Sequence, residues 1–326
     1  MTMEGNKPQI AATDRPVFVF SQHRGGGTLL ARLLNCHPDL VIWGEHAGFI
    51  NQMAEVAFIL DRYEGVLGKT TEDEFARFLS RHPETLGDYS PWLSPMLPTD
   101  FPTWSREFLR VVFSRRVSPG QRWGFKEIRY HKPIVAQYLH GLFPHARFIL
   151  LTRDPIELCV SNIFVAWSLE GLLETGVQHN AGAIRTVVED CLYAIVAVQT
   201  NMAEIQKAMP THALSVAYDA VAAAPAQETA RIFRFLDLPT TPEVLDHIGI
   251  AASHVVGVTD KHRPDLGLLT PALVAATARA LLDRTQALIQ TDGIDLARLR
   301  RLAGLGRYSY LTGDHGLVGA PLSSMF

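Results

Sequence analysis

Cysteine is scarce in this chain: three residues among 326, at positions 36, 159 and 191. An odd number at wide spacing, with no C-x-x-C pair, excludes a disulfide framework and a zinc ribbon. It points instead to free buried thiols in a reducing compartment. Charge of either sign is also in short supply. Lys and Arg number 30 against 33 Asp and Glu, a formal net charge of −3, which excludes a nucleic-acid-coating surface but leaves room for a local basic pocket. Residues 1–15 lack an apolar core of signal-peptide length, and no apolar run is long enough to span a membrane. The expected compartment is therefore the cytoplasm, with neither membrane nor nucleic acid among the partners. No internal repeat is present. What remains is an ordinary globular composition, 47% apolar and 19% charged, able to bury a large core.

One stretch organises the rest, VFVFSQHRGGGTLLARLL at Val17–Leu34. Val17–Phe20 is a short apolar run that predicts a buried parallel strand. Three consecutive glycines, Gly25, Gly26 and Gly27, follow Arg24, and Thr28–Leu34 then carries leucines at helical spacing. Strand, glycine loop and helix N-terminus make an anion cradle, because backbone can approach closely and free N–H groups point at the ligand. A plain turn between strand and helix has no need of three glycines beside an arginine. The loop is not a Walker A motif, G-x-x-x-x-G-K-[ST]. Ser21 replaces the first glycine and Gly27 takes the lysine position.

Along the chain, the segment before Pro16 is expected to be disordered. A second strand is predicted at Leu40–Trp43, then a helix at Ala47–Leu60. Residues 62–120 are irregular and rich in Pro, Ser and Trp, with helical pieces near Glu72–Ser80 and Arg106–Ser114. They read as an insertion over one end of the sheet, a lid or substrate wall. Strands follow at Arg122–Glu127, Ala146–Thr152 and Ala213–Tyr218, alternating with helices at Lys132–Leu142, Ile156–Trp167 and Gly182–Met209. An amphipathic helix is predicted at Pro225–Leu236, a loop-rich segment at Ile248–Leu269, and helices at Pro271–Thr291 and Ile294–Ala303. This alternation predicts an α/β fold, a P-loop-like three-layer sandwich with a central parallel sheet and a helical insertion at about 47–120. Residues 16–303 then form one domain between a disordered 1–15 and a flexible tail at 304–326. In such sheets ligands sit outside the carboxyl ends of the strands, so Arg24, Lys126 and Arg153 would face one crevice.

With those residues in view, the chain resembles sulfotransferases that use 3′-phosphoadenosine 5′-phosphosulfate (PAPS). The likeness is to the bacterial small-molecule, carbohydrate and tyrosylprotein branches more than to the steroid and phenol branch. Four stretches carry it. HRGGGTLLARLL at His23–Leu34 is similar to the family's P-[RK]-S-G-T-T loop, with His23, Gly25 and Gly27 departing from it. HPDLVIWGEH at His37–His46 resembles the segment that holds a glutamate base. RFILLTRDPIELCVSN at Arg147–Asn162 matches the 3′-phosphate motif, with Arg153 and Ser161 eight positions apart. YDAVAAAPAQETARIFRFLDLP at Tyr218–Pro239 resembles the family's closing pattern.

The resemblance implies a PAPS-dependent enzyme of small-molecule metabolism that leaves PAP as product and requires no metal. Arg24, with the N–H groups of Gly25, Gly26, Gly27, Thr28 and Leu29, would hold the 5′-phosphate. Arg153 and Ser161 would hold the 3′-phosphate, Tyr218 would meet the adenine, and Ser253 and Lys261 would close over the cofactor. Lys126 and Arg24 would stabilise the transferring group, Lys126 also the leaving phosphate. The phenol branch has a histidine two positions after its lysine, where this chain has Ile128. Glu45 is therefore the expected base, with His46 and His23 behind it. Arg129 faces the same crevice or pairs with Glu127 or Asp154. The acceptor, a small molecule or glycan offering a hydroxyl or amine, is not specified by any stretch, nor is the oligomeric state. Two other readings stand beside this one: a P-loop kinase for a small metabolite, and a non-enzymatic nucleotide-binding scaffold.

Overall fold

The structure is a computed structural model that describes residues 11–62, 71–80, 97, 99–253 and 266–304, without side-chain detail at 62, 166–168 and 304. The tail beyond residue 304, Lys261 and much of the insertion lie outside the described residues. Five strands form one sheet: β1 Val17–Ser21, β2 Leu40–Trp43, β3 Arg122–Glu127, β4 Arg147–Thr152 and β5 Ala213–Ala217. Their order is β2-β3-β1-β4-β5 and every pairing is parallel. The expected α/β sandwich is thus present.

Side-chain alternation along the strands builds two cores. Val17 and Val19 of β1, with Ile149 and Leu151 of β4, face α1 (Gly27–Leu34) and two later helices at Pro225–Phe235 and Pro242–Ser253. Phe18 and Phe20, with Phe148 and Leu150, face the other way. That face is covered by α2 (Ile50–Arg62), α4 (Asp100–Ser114), α5 (Pro133–Leu142), α6 (Pro155–Ile163) and the long α8 (Ala181–Ala208), with α3 (Glu72–Ser80) and α7 (Ala166–Glu174) between them in the chain. Each fully buried Val, Leu or Phe contributes about 1.5–3 kcal/mol relative to exposure, which suits strands apolar on both faces.

The topology places the site. The crossover from β1 runs over one face toward β2, while the crossover from β4 runs over the opposite face toward β5. Between their carboxyl ends lies the switch-point crevice where ligands of open α/β sheets bind. Register puts Phe20 level with Glu127, Ser21 level with Leu151, and Thr152 level with Ala217. The residues just past those positions therefore converge.

Several boundaries differ from the expectations. Of the segment before Pro16, the described residues 11–15 have defined structure. Ala12–Asp14 forms a 3-10 turn, with Thr13 accepting the Trp123 indole N–H at 2.9 Å and Asp14 pairing with Arg106 at 3.1 Å. The helix expected from Ala47 begins at Ile50, because Ala47 and Gly48 hold φ of 61° and 72°. The helix expected through Trp167 ends at Ile163, and a new one opens at Ala166. Residues 248–253, read as loop, close the helix Pro242–Ser253. Tyr218 starts the helix α9 (Tyr218–Ala223) rather than ending β5. Within the insertion, Leu109 and Phe113 of α4 belong to the buried core.

Candidate active site

The loop Gln22–Gly26 turns β1 into α1. Gly25 N–H closes on Gln22 O at 2.9 Å, Arg24 holds φ of 62°, and Gly26, at φ 89°, caps the helix. The glycines are fixed by their neighbours as well as by φ. A Cβ on Gly25 would lie 2.9 Å from Gln22 O, on Gly26 2.1 Å from Tyr218 Cδ2, and on Gly27 2.5 Å from Ser21 Oγ and 3.0 Å from Lys126 Cδ. The place where a kinase loop carries its lysine is therefore filled from below by the stem of a lysine on β3. The first-turn N–H groups of α1 have no intrahelical acceptor and open toward the crevice, with exposed Thr28 among them.

The end of β4 meets this loop. Arg153 donates from Nη1 to Arg24 O at 3.2 Å, and Arg24 donates from Nε to Ser161 Oγ at 3.3 Å. The Arg153 guanidinium lies over the Tyr218 ring, 4.6 Å from its centroid, while its Nε is buried without a hydrogen-bond partner. Asp154 does not pair with Arg153. It caps α6 by accepting the Glu157 N–H at 2.8 Å, and Arg153 reaches Glu157 at 3.7 Å instead. The eight-residue spacing of Arg153 and Ser161 thus brings both to the glycine loop. His23 Nδ1 lies 2.8 Å from Asn162 Oδ1, and burial, partly offset by that bond, lowers its pKa.

Across the crevice, Lys126 and Glu45 form an ion pair through Nζ and Oε1, and Arg129 Nη1 lies 3.1 Å from Glu45 Oε2. The Lys126 side chain is 8% exposed and that of Glu45 35%. Burial raises the Glu45 pKa, but Lys126 and Arg129 outweigh it and hold the carboxyl below its ordinary value. Behind them Glu127 is wholly buried and fully occupied. Its Oε2 accepts the N–H groups of His46 and Gly48 at 3.0 and 3.1 Å, and its Oε1 accepts Ile128 N–H at 2.9 Å and Arg129 at 2.5 Å. Of the two partners expected for Arg129, Glu127 is the one found, joined by Glu45.

His46 is held elsewhere than Glu45. Its ring packs edge-on against Phe49, Phe113 and Phe125, and its Nε2 lies 2.7 Å from the Tyr130 hydroxyl, which accepts Ile50 N–H at 2.9 Å. Burial lowers its pKa despite nearby Glu127. A neutral ring can accept the Tyr130 proton on Nε2, which leaves Nδ1 buried without a hydrogen-bond partner, 3.8 Å from Glu127 Oε2. Ser253 ends its helix with its hydroxyl on Ile250 O at 2.7 Å, and Lys261 lies outside the described residues.

Two supports had no signal in the sequence. Gln199, inside an alanine- and valine-rich helix, donates to Gln22 Oε1 at 3.1 Å and to Arg153 O at 2.7 Å, tying the two loops together. Gln22 in turn donates to Ile195 O at 3.0 Å. Glu127 had a weak signal, a carboxylate closing an apolar strand. Among the described residues, no group of three or more His, Cys, Asp or Glu is placed to hold a metal ion, and no helix is long and apolar enough to cross a membrane.

Comparison with known proteins adds the following. The sequence model of the sulfotransferase family matches residues 16–242. Among solved structures, the chain is similar to the sulfotransferase domain of a Synechococcus olefin synthase, at 19% identity and TM-score 0.45, covering 89% of this chain and 98% of that one. It is also similar to a sulfotransferase from Mycobacterium avium (18%, TM-score 0.41, 83% and 76%) and one from Alicyclobacillus acidocaldarius (17%, TM-score 0.42, 88% and 99%). No curated protein matches.

Proposed function

The chain belongs to the sulfotransferase family, and from that premise we propose that it moves a sulfuryl group from PAPS to a hydroxyl or amine of a small-molecule or glycan acceptor. The observation that carries this reading is the meeting of Arg24, Arg153 and Ser161 around a loop whose Gly26 admits no Cβ. The fit to a doubly phosphorylated adenosine rests on two features. The glycine loop is a cradle that a single Cβ would fill, and the buried Arg153 Nε has no partner.

PAPS, when bound, supplies the activated sulfuryl group and the leaving phosphate. Arg24, Thr28 and the N–H groups of Gly25–Leu29 hold the 5′-phosphate, and Arg153 with Ser161 holds the 3′-phosphate. Tyr218, already stacked on Arg153, borders the adenine. Lys126 stabilises negative charge as it grows on the leaving side. Glu45 takes the acceptor's proton on a carboxylate oxygen.

Calorimetry tests the donor side with PAPS, adenosine 5′-phosphosulfate and ATP with magnesium. A charge-assisted hydrogen bond is worth about 1.5–3 kcal/mol, or roughly tenfold to over a hundredfold. PAPS, which differs from adenosine 5′-phosphosulfate only by the 3′-phosphate, should bind tighter than it by that factor, and Arg153→Ala should shrink the difference. Equal affinities in the wild type would overturn the assignment, and tighter binding of ATP with magnesium would restore the kinase reading.

A further inference from the structure

Glu45 has two holders that are tied differently. On one side is Lys126, a single ammonium bonded to Oε1, its stem packed beside Gly27. On the other is Arg129, which reaches Oε2 at 3.1 Å with the same Nη1 that sits 2.5 Å from Glu127 Oε1. Glu127 is itself pinned by three backbone N–H groups. The Arg129 stem is also gripped, since a Cβ on Gly48 would lie 2.7 Å from its Cδ. The guanidinium is thus tied to a second carboxylate that backbone N–H groups hold in place, whereas among the described residues the Lys126 ammonium is paired with Glu45 alone.

Transfer makes opposite demands on the two cations. Lys126 is wanted by the leaving phosphate, and an ammonium turning to a new anion loosens its hold on Glu45. We propose that Arg129 is a positioning residue that keeps Glu45 at the crevice when Lys126 turns to the donor, leaving Oε1 to take the acceptor's proton. This rests on the reading of Glu45 as the base. Other charged or titratable groups around Glu45 are His23 from the β1 loop, His46 from its own segment, and Glu127 behind Arg129.

The test uses the full chain with carbon-13 carboxyl-labelled glutamate, titrated by NMR as the PAP complex. Glu45→Gln identifies the Glu45 signal by removing it. In Arg129→Gln the Glu45 titration midpoint should rise by about one pH unit or more, since a neighbouring cation is lost. Arg129→Lys should recover part of the shift. Release of PAP from PAPS with water as acceptor should fall about tenfold in Arg129→Gln, while PAP affinity by calorimetry stays within about twofold. If Arg129→Gln fails to fold because Glu127 is left buried and unpaired, the pair variant Glu127→Gln/Arg129→Gln removes both charges; the midpoint then rises by less, since a repelling carboxylate goes with the cation, while the fall in PAP release and the retained PAP affinity are expected as before. An unmoved midpoint with unchanged PAP release in whichever variant folds would overturn the proposal. So would a loss of PAP affinity as large as the loss of turnover. The base reading fails separately: if Glu45→Gln releases PAP at the wild-type rate, Glu45 is not the base and the positioning role falls with it. If Glu45→Gln is slow and Arg129→Gln is fast, only the positioning role falls.

Discussion

The two sides of the crevice each present two cations, but they treat them differently. On the β1–β4 side, Arg24 meets a serine hydroxyl, and Arg153 meets a backbone carbonyl, an aromatic face and the exposed Glu157 at 3.7 Å. On the β3 side, Lys126 and Arg129 are answered by Glu45 and by the sealed Glu127. Neutral partners satisfy an arginine's N–H groups without cancelling its charge, so the first side keeps a field that draws an anion. The second side is close to neutral, and its charges serve to hold one another in place. Electrostatics alone therefore separates a half suited to an anion, the proposed binding half, from a half whose charges hold one another, the proposed positioning half.

The sharpest way to break that contrast is to remove one carboxylate from each half. Glu127→Ala leaves three backbone N–H groups and half of the Arg129 contacts without an acceptor. Removing one partner of a buried pair costs about 3–5 kcal/mol. Glu157→Ala removes an exposed carboxylate, and surface changes of that kind stay within about 0.5 kcal/mol. Urea melts of both variants should differ by that gap. Similar midpoints would mean that the β3 side is not the anchor described.

The next effect is catalytic. Glu45→Gln keeps size and hydrogen bonding but removes the proposed base, and release of PAP from PAPS should fall by about a hundredfold or more. Affinity for PAP should not weaken, because Lys126 is released from its pair. Lys126→Ala should also act mainly on turnover, since the charge it meets grows in the transition state. The sign of the pH dependence follows from the depressed Glu45 pKa. Its ionised form stabilises the fold above the ordinary glutamate value, and that contribution is lost as pH falls through the lower folded value. The acidic limb of turnover should thus lie below the ordinary carboxylate range, vanish in Glu45→Gln, and move upward in Lys126→Ala. A wild-type rate in Glu45→Gln would return His46 and His23 to first consideration, against the bonds that now occupy them.

The binding half was far more legible in the sequence than the positioning half. Glycines, an arginine at a strand end and a hydroxyl two helical turns later are local patterns, and they survive as such in the fold. The apolar runs of β1 and β4 were readable for the same reason, each being a continuous buried strand. What the sequence did not show is what distance along the chain hides. Glu45 and Arg129 are 84 positions apart, and Gln22 and Gln199 are 177 apart. Nor did residues 164–165 signal a helix break, since neither glycine nor proline marks it. Tyr218 read as the end of a strand because its aromatic ring suits one, yet it is needed against Gly26 and under Arg153.

The smallest expected effect bears on one of the direct links between the two loops proposed to hold phosphate. Ser161 was assigned to the 3′-phosphate, yet its hydroxyl accepts from Arg24, a residue of the 5′ loop. Ser161→Ala removes that acceptor and any bond to a phosphate. Arg24 is exposed, so water replaces the lost partner, and the net change is that of an ordinary hydrogen bond. That is about 0.5–1.5 kcal/mol, or roughly two- to tenfold in PAP affinity. Adenosine 5′-monophosphate separates the two ways this loss can arise. If Ser161 touches the 3′-phosphate, the substitution weakens PAP and leaves the monophosphate alone. If Ser161 acts only by aiming Arg24, both ligands weaken by the same factor, because the 5′-phosphate is common to them. A uniform loss would therefore move Ser161 from the 3′ site to the support of the glycine loop, and leave Arg153 as the residue that reads the 3′-phosphate.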